Sequence, residues 1–271
     1  MNILDHISYH AVYDSSIMDA LEYAQGNGFA GVQLAVEVPH LSFERTSLPE
    51  RQEIRDFVSD HNINISLHAP DDISFFEPSR YLRQGILNYC KALFNFAEEI
   101  GAKIVTFHPG SMATFPTDTT IEERTPQADL FLYRNMFQES LNEVVRIAKN
   151  RTTICIENYR LDDLSMGLLQ PYLDNDKFFL CWDIAKTYDS KITKINDVEK
   201  YYINNIKRIK QVHVHDINSH GRSHRVIGTG IIDFRYFLSL LANADVLDYC
   251  IEVRPREKAK ESLENLIKIW R

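Results

Sequence analysis

One period runs through this chain: a short β-branched, apolar run, a loop, and then an amphipathic stretch at helical spacing. The runs are ILDHISYH (3–10), GFAGVQLAVE (28–37), INISLHAP (63–70) and AKIVTFHPG (102–110), followed by TTICIENY (152–159), FFLCWDIAKTY (178–188), KQVHVHDIN (210–218) and YCIEVRP (249–255). Helical spacing falls near 15–26, 50–61, 80–100, 126–149, 163–174, 197–208, 233–242 and 257–270. The clearest is 80–100, where Leu82, Ile86, Tyr89, Cys90, Leu93, Ala97 and Ile100 share one face and Gly101 stands where a C-cap glycine belongs. Strict alternation of this kind implies parallel strands with helices outside them. Eight such units in 271 residues fit a closed (β/α)₈ barrel, the TIM-barrel architecture, better than an open doubly wound sheet. No GxGxxG or GxxxxGK[ST] follows the first run, which removes the usual nucleotide-binding reason for an open sheet. No Gly-, Pro- or Ser-rich linker interrupts the pattern, so residues 1–271 are expected to form one barrel domain. The longest polar loop, 111–130, is a candidate lid.

Charge narrows the function classes. With 30 basic and 38 acidic residues the net charge is −8, which weighs against a dedicated nucleic-acid binder, whose affinity comes from neutralising phosphates. No run approaches the ~20 apolar residues of a membrane span. The start, MNILDHISYH, lacks the basic-then-apolar pattern of a signal peptide, so a cytoplasmic protein is expected. The four cysteines, Cys90, Cys155, Cys181 and Cys250, are far apart without a CxxC pair and read as free thiols.

In a (β/α)₈ barrel the site lies at the C-terminal ends of the strands. Six successive runs end there in a residue able to ligate a metal: His68, His108, Glu157, Asp183, His213 and Glu252. Three carboxylates converging on one partly buried mouth need a cation or shared protons to coexist. Imidazole and carboxylate donors suit Zn²⁺, Mn²⁺ or Fe²⁺, and the lack of thiolate argues against a structural zinc. Cys155, Cys181 and Cys250 each precede a proposed ligand by two residues. That spacing places them on the same face one layer down, as filler under the site. His215 is expected to contact substrate or to replace His213 as a ligand, and Asp216 to accept from a ligand imidazole. Arg254 reaches over the mouth or pairs with a neighbouring loop. His6, His10, His40, His61 and His220 carry no spacing argument and read as structural.

The segments INISLHAP, IVTFHPGS, ICIENY, LCWDIAK, VHVHD, HRVIGTGIIDF and CIEVRP together resemble the xylose-isomerase-like TIM-barrel superfamily. They are similar both to its sugar-phosphate isomerase/epimerase group and to endonuclease IV. The resemblance runs from residue 3 to residue 255 and implies a divalent metal, zinc or manganese, held by Glu157, Asp183, His213 and Glu252. From the endonuclease side it implies a second ion on His68 and His108, with Glu157 bridging. The departures are specific. Endonuclease IV binds a third zinc through a histidine three residues after the strand-six Asp and through an Asp-x-His; here Lys186 and Arg222-Ser223-His224 stand in those places. Lys186 and Arg222 then either attract a phosphate or pair with carboxylates, and His224 alone survives as a donor. The function implied is isomerisation or epimerisation of a sugar or sugar phosphate, with Glu157 and Glu252 as base and acid around a metal-stabilised enediolate. The alternative implied is an endonuclease IV-like phosphodiesterase acting on abasic DNA. The resemblance also allows a homodimer.

Overall fold

Along the barrel strands apolar residues facing the helices alternate with mainly polar or thiol residues facing the axis, where Ile104 and Phe179 are apolar exceptions beside Cys155 and Cys181, and this two-residue repeat decides both core and site. In the computed structural model, which describes residues 3–117, 120–124, 127–148, 152–189 and 191–270, eight parallel strands close into one barrel. They are β1 (Ile7–Ala11), β2 (Gly31–Ala35), β3 (Asn64–His68), β4 (Ile104–Phe107), β7 (Thr153–Glu157), β8 (Phe178–Asp183), β9 (Ile209–Val214) and β10 (Asp248–Ile251). Around the ring they run β1-β10-β9-β8-β7-β4-β3-β2. The helices outside are α1 (Ile17–Asn27), α2 (Leu48–Asp60), α3 (Arg80–Ile100), α4 (Leu130–Ile147), α5 (Asp163–Leu169), α6 (Asn196–Asn204), α7 (Phe234–Leu241) and α8 (Arg256–Trp270). No helix among the described residues is long and apolar enough to cross a membrane.

Local chemistry places these elements. Ser79 accepts from the Leu82 N–H to start α3, and Gly101 ends it at φ 80°, a left-handed position that glycine adopts without strain. Helix α2 opens with a reciprocal capping box between Ser47 and Glu50. Four expected boundaries shift. The first run begins as a 3₁₀ turn, Ile3–His6, before β1 starts at Ile7. The stretch 163–174 divides into α5 and a 3₁₀ segment, Gln170–Asp174, because Pro171 offers no N–H to continue the α-helical ladder. The stretch 197–208 likewise becomes α6 and the 3₁₀ turn Ile206–Arg208. The polar segment 111–130 is not a plain loop: β5 (Phe115–Thr117) and β6 (Thr120–Arg124) pair antiparallel outside the barrel, and residues 118, 119, 125 and 126 lie outside the described residues.

The barrel interior is layered. Outward residues such as Leu34, Leu67, Val105, Ile156, Trp182, Val212 and Ile251 are fully buried under the helices. At the floor, Asp248 accepts from Ser8 Oγ at 2.5 Å, Ser66 Oγ at 2.9 Å and Gln211 Nε2 at 2.7 Å, while Thr106 donates to Gln211. Cys155, Cys181 and Cys250 are buried free thiols in the layers below the mouth, as the two-residue spacing predicts. Burial pushes all three up in pKa, so they stand as thiols rather than as thiolate ligands.

Candidate active site

All six proposed ligands lie buried together at the C-terminal end of the barrel. One oxygen is the centre of the cluster: Glu157 Oε2 lies 3.0 Å from His213 Nδ1, 3.3 Å from His68 Nε2 and 3.4 Å from His108 Nε2. Across the same imidazole, Glu252 Oε1 lies 3.4 Å from His213 Nδ1 and 3.4 Å from His10 Nδ1. Asp183 turns one oxygen to the backbone N–H groups of Ala185 and Lys186 and the other to His215 Nε2 at 3.2 Å. Two sets of donors mutually within 4.8 Å therefore adjoin: Asp183, His213 and Glu252, and His68, Glu157 and His213. A third set, His68, Asp71 and His108, extends the second toward the rim.

Hydrogen bonds prepare several rings. His68 Nδ1 donates to the Ala69 carbonyl at 2.8 Å and Nε2 donates to Glu157 Oε2 at 3.3 Å, so the ring holds both protons here and Nε2 gives its proton up when it ligates a cation. Gln33, on β2, holds His213 Nε2 at 3.1 Å while its carbonyl accepts from Cys250. His215 spends its Nδ1 lone pair on the His224 N–H at 3.0 Å, so its proton sits on Nε2 and is donated to Asp183. A further donor set, His215, His224 and Glu252, lies within the same 4.8 Å, so His215 keeps a place among the possible ligands.

Electrostatics follow from the crowding. Burial works against the charged His213 ring, yet Glu252 and Glu157 outweigh it and push its pKa up to about 10. Burial likewise opposes the charge on Glu157 and on Glu252, but His213 with His108 around the first, and His213 with His10 around the second, hold both carboxyls well below the usual range. Both stay ionised.

The site has a cavity of about 330 Å³ above it, lined by His10, Glu37, His68, Asp71, His108, Glu157, Tyr159, Lys186, His224, Glu252 and Arg254 among others. Lys186 lies over the Tyr159 ring, 5.3 Å from its centre, with the charges of Asp183, Glu157 and Glu252 near it. Of the residues expected to bind substrate, Lys186, His224 and Arg254 line the cavity and His215 lies fully buried beside Asp183.

Arg222 does not join them. It is exposed in a turn whose backbone N–H bonds to Asn218, so pairing it with Lys186 as a phosphate clamp is corrected. Asp216 is also corrected. It accepts no imidazole; its carboxylate takes the backbone N–H groups of Ile217, Gly228, Gly230 and Ile232 and so builds the loop after β9. His10, read as structural, stands in the site instead. It lies two residues beyond Ser8 on β1, on the same inward face, as His68 lies two beyond Ser66 on β3, and that repeated spacing is the signal available for it.

The donor chemistry fits a divalent cation. His108 Nδ1 and His213 Nδ1 are buried nitrogens with no hydrogen-bond partner of acceptable geometry among the described residues, a costly state for groups that could ligate. His213 Nδ1 in particular faces two carboxylates at once. Carboxylate and imidazole donors in this mixture suit a divalent cation.

Comparison with known proteins agrees with this architecture. A family model described as a xylose isomerase-like TIM barrel matches residues 21–269. A probable endonuclease 4 of Malacoplasma penetrans (strain HF-2) is 23% identical over 252 residues, covering 84% of this chain and 80% of the relative. The crystal structure of a D-tagatose 3-epimerase-like protein superposes with a TM-score of 0.73 at 20% identity, over 98% of this chain and 97% of that one. That of the IOLI protein with a binding zinc atom superposes with a TM-score of 0.65 at 15% identity, over 97% of each chain. At these identities the structural likeness is one of fold.

Proposed function

The chain belongs to the xylose isomerase-like TIM barrel family, and from that premise we propose that it is a divalent-metal-dependent isomerase or epimerase of a sugar or sugar phosphate. One observation carries the reading: two buried, ionised carboxylates, Glu157 and Glu252, flank a single imidazole at 3.0 and 3.4 Å under a cavity of about 330 Å³. That volume suits a monosaccharide, and the arrangement suits moving a proton at a carbon beside a carbonyl. One carboxylate takes the proton from carbon and, now a carboxylic acid, returns it to the neighbouring carbon in an isomerisation; an epimerisation needs the opposite carboxyl to take up a proton from solvent before it delivers one to the other face. A divalent ion held by Glu157, Asp183, His213 and Glu252, with His68 and His108 available to a second, supplies Lewis-acid polarisation of the substrate oxygens. The residues of the wall do the rest. Lys186 offers a donor to substrate oxygens and His224, whose Nδ1–H is spent on the Glu252 carbonyl, offers the Nε2 lone pair to a substrate hydroxyl, while the burial of the carboxylates keeps water from competing for the proton.

A second reading, phosphodiester cleavage at an abasic site, is favoured by the His68–Asp71–His108 donor set and by the endonuclease 4 relative. The cavity wall weighs against it. With Glu157 and Glu252 committed to the metal, Lys186 and Arg254 only balance Glu37 and Asp71 there, which is not the basic groove that a polyanion needs.

The test uses protein stripped by a chelator and reloaded with Mn²⁺ or Zn²⁺. It is incubated with neutral and phosphorylated ketoses in D₂O, and deuterium at the carbon beside the carbonyl is read by NMR; cleavage of an abasic-site duplex is measured in parallel. Metal-dependent deuterium incorporation is expected. Duplex cleavage with no exchange on any sugar would overturn the isomerase reading and leave the nuclease.

A further inference from the structure

Arg254 follows Glu252 by two residues and lines the active-site cavity. It also lines a second cavity of about 520 Å³ that adjoins the first, and His10, Val12, Tyr13 and Arg254 are common to both walls. The neighbouring Arg256 is already matched, 3.0 Å from Asp14 and 2.9 Å from Asp19, and Lys186 lies over the Tyr159 ring with the charges of Asp183, Glu157 and Glu252 near it. Among the described residues no carboxylate lies within ion-pair distance of Arg254, and its Nε is buried without a hydrogen-bond partner. A guanidinium cannot shed its charge, and a half-buried cation without a counter-charge is costly unless an anion completes it.

His10 adds a second donor at the same place. Arg254 Nη2 lies 2.5 Å from His10 Nδ1, and because a guanidinium only donates, Nδ1 must accept. The ring proton therefore sits on Nε2. That nitrogen has no partner, its residue is only 6% exposed, and the ring lines both cavities. A permanent cation and an unsatisfied N–H thus converge on the boundary between a sugar-sized cavity and the open space beyond it.

We propose that Arg254 and His10 form an anion-binding end of the active site, so that the substrate is a sugar carrying a phosphate monoester or a carboxylate remote from the carbons that exchange protons. The inference rests on the isomerase reading for the sugar but not for the anion. It also moves the anion site away from Arg222, which the fold leaves outside.

The experiment measures binding and exchange separately on the metal-loaded protein. D-fructose, D-fructose 6-phosphate and D-fructuronate serve as neutral, phosphate and carboxylate probes, by isothermal titration and by deuterium exchange. Arg254→Gln, close in size and neutral, should weaken the anionic probes by about 10- to 100-fold through KM and dissociation constant, since one charge-assisted contact is lost. D-fructose should lose clearly less than the anionic probes, and Arg254→Lys, which keeps the charge, should recover part of the anion-specific loss and show that the fold is intact. Whichever anionic probe binds wild type more tightly identifies phosphate or carboxylate. Equal losses on neutral and anionic probes would overturn the inference, as would wild type that binds neither anion more tightly than D-fructose. If anionic probes bind through Arg254 but no sugar exchanges, the isomerase reading fails and the anion site stands. If neutral ketoses exchange and Arg254→Gln alters nothing, the anion site fails and the isomerase reading stands.

Discussion

Replacing Glu157 by Gln removes one charge and nothing of the shape, at the point where three imidazoles meet within 3.0–3.4 Å of one oxygen. The cost to the fold is bounded. Breaking a buried ion pair costs about 3–5 kcal/mol when the partner keeps its charge. Here the partners are imidazoles, which at pH 7 release a proton once the carboxylate is gone, so the loss belongs at the lower end, about 3 kcal/mol. A domain stable by about 5–15 kcal/mol survives that. The cost to the metal is larger. Removing an outer hydrogen-bond partner of a ligand lowers metal affinity about 10–100-fold, and Glu157 stands in the donor set itself, so at least about 100-fold is expected in competition against a chelator. Proton transfer through a positioned carboxylate contributes about 10²–10⁴ in rate, and an amide cannot take the proton. The three readouts are therefore a melting temperature lowered by several degrees, a weakened metal, and deuterium exchange reduced by at least two orders of magnitude at saturating metal. Exchange at the wild-type rate in a folded, metal-loaded Glu157→Gln protein would refute the reasoning.

Replacing both His68 and His108 by Ala should lower bound metal by about one ion per chain and leave the Asp183–His213–Glu252 set occupied; unchanged stoichiometry by elemental analysis would assign those rings to substrate instead. The metal-free protein should lose stability from about pH 7 to pH 10. His213 titrates near 10 when folded, against 6.5 for an imidazole free in water, so its contribution is complete below 6.5 and disappears as pH rises through 10; a flat melting temperature across that window would contradict it. Chelator competition over the same window should show metal affinity rising, because the ion displaces that proton. Asp216→Ala should cost about 3–5 kcal/mol by stranding backbone N–H groups that its carboxylate now accepts, read as a lowered denaturation midpoint with metal stoichiometry unchanged; loss of metal at full stability would restore Asp216 as an imidazole acceptor.

Local sequence decided the elements and the layer of the barrel to which each side chain belongs. A two-residue repeat is a property of neighbouring residues, so Ser66 below His68, Thr106 below His108 and Cys155 below Glu157 could be read before any strand was paired. The same holds for the glycine that ends α3, since a left-handed C-cap needs only that residue at that spacing. What the tertiary structure decided is convergence. His10 joins Glu252 because the barrel closes by pairing β1 with β10, two strands some 240 residues apart in the chain, as the Ser8–Asp248 bond across that seam records. Arg222 and Arg254 are indistinguishable as basic residues near a strand end. The turn at 218–222 carries one outward, while the end of β10 holds the other against His10. Asp216 looks like a partner for His213 by spacing alone, yet the loop after β9 bends back and brings four backbone N–H groups to it first. Side-chain direction along a strand is local, but the identity of the partner across a closed ring depends on closure and on loop paths, and no short stretch of sequence contains either.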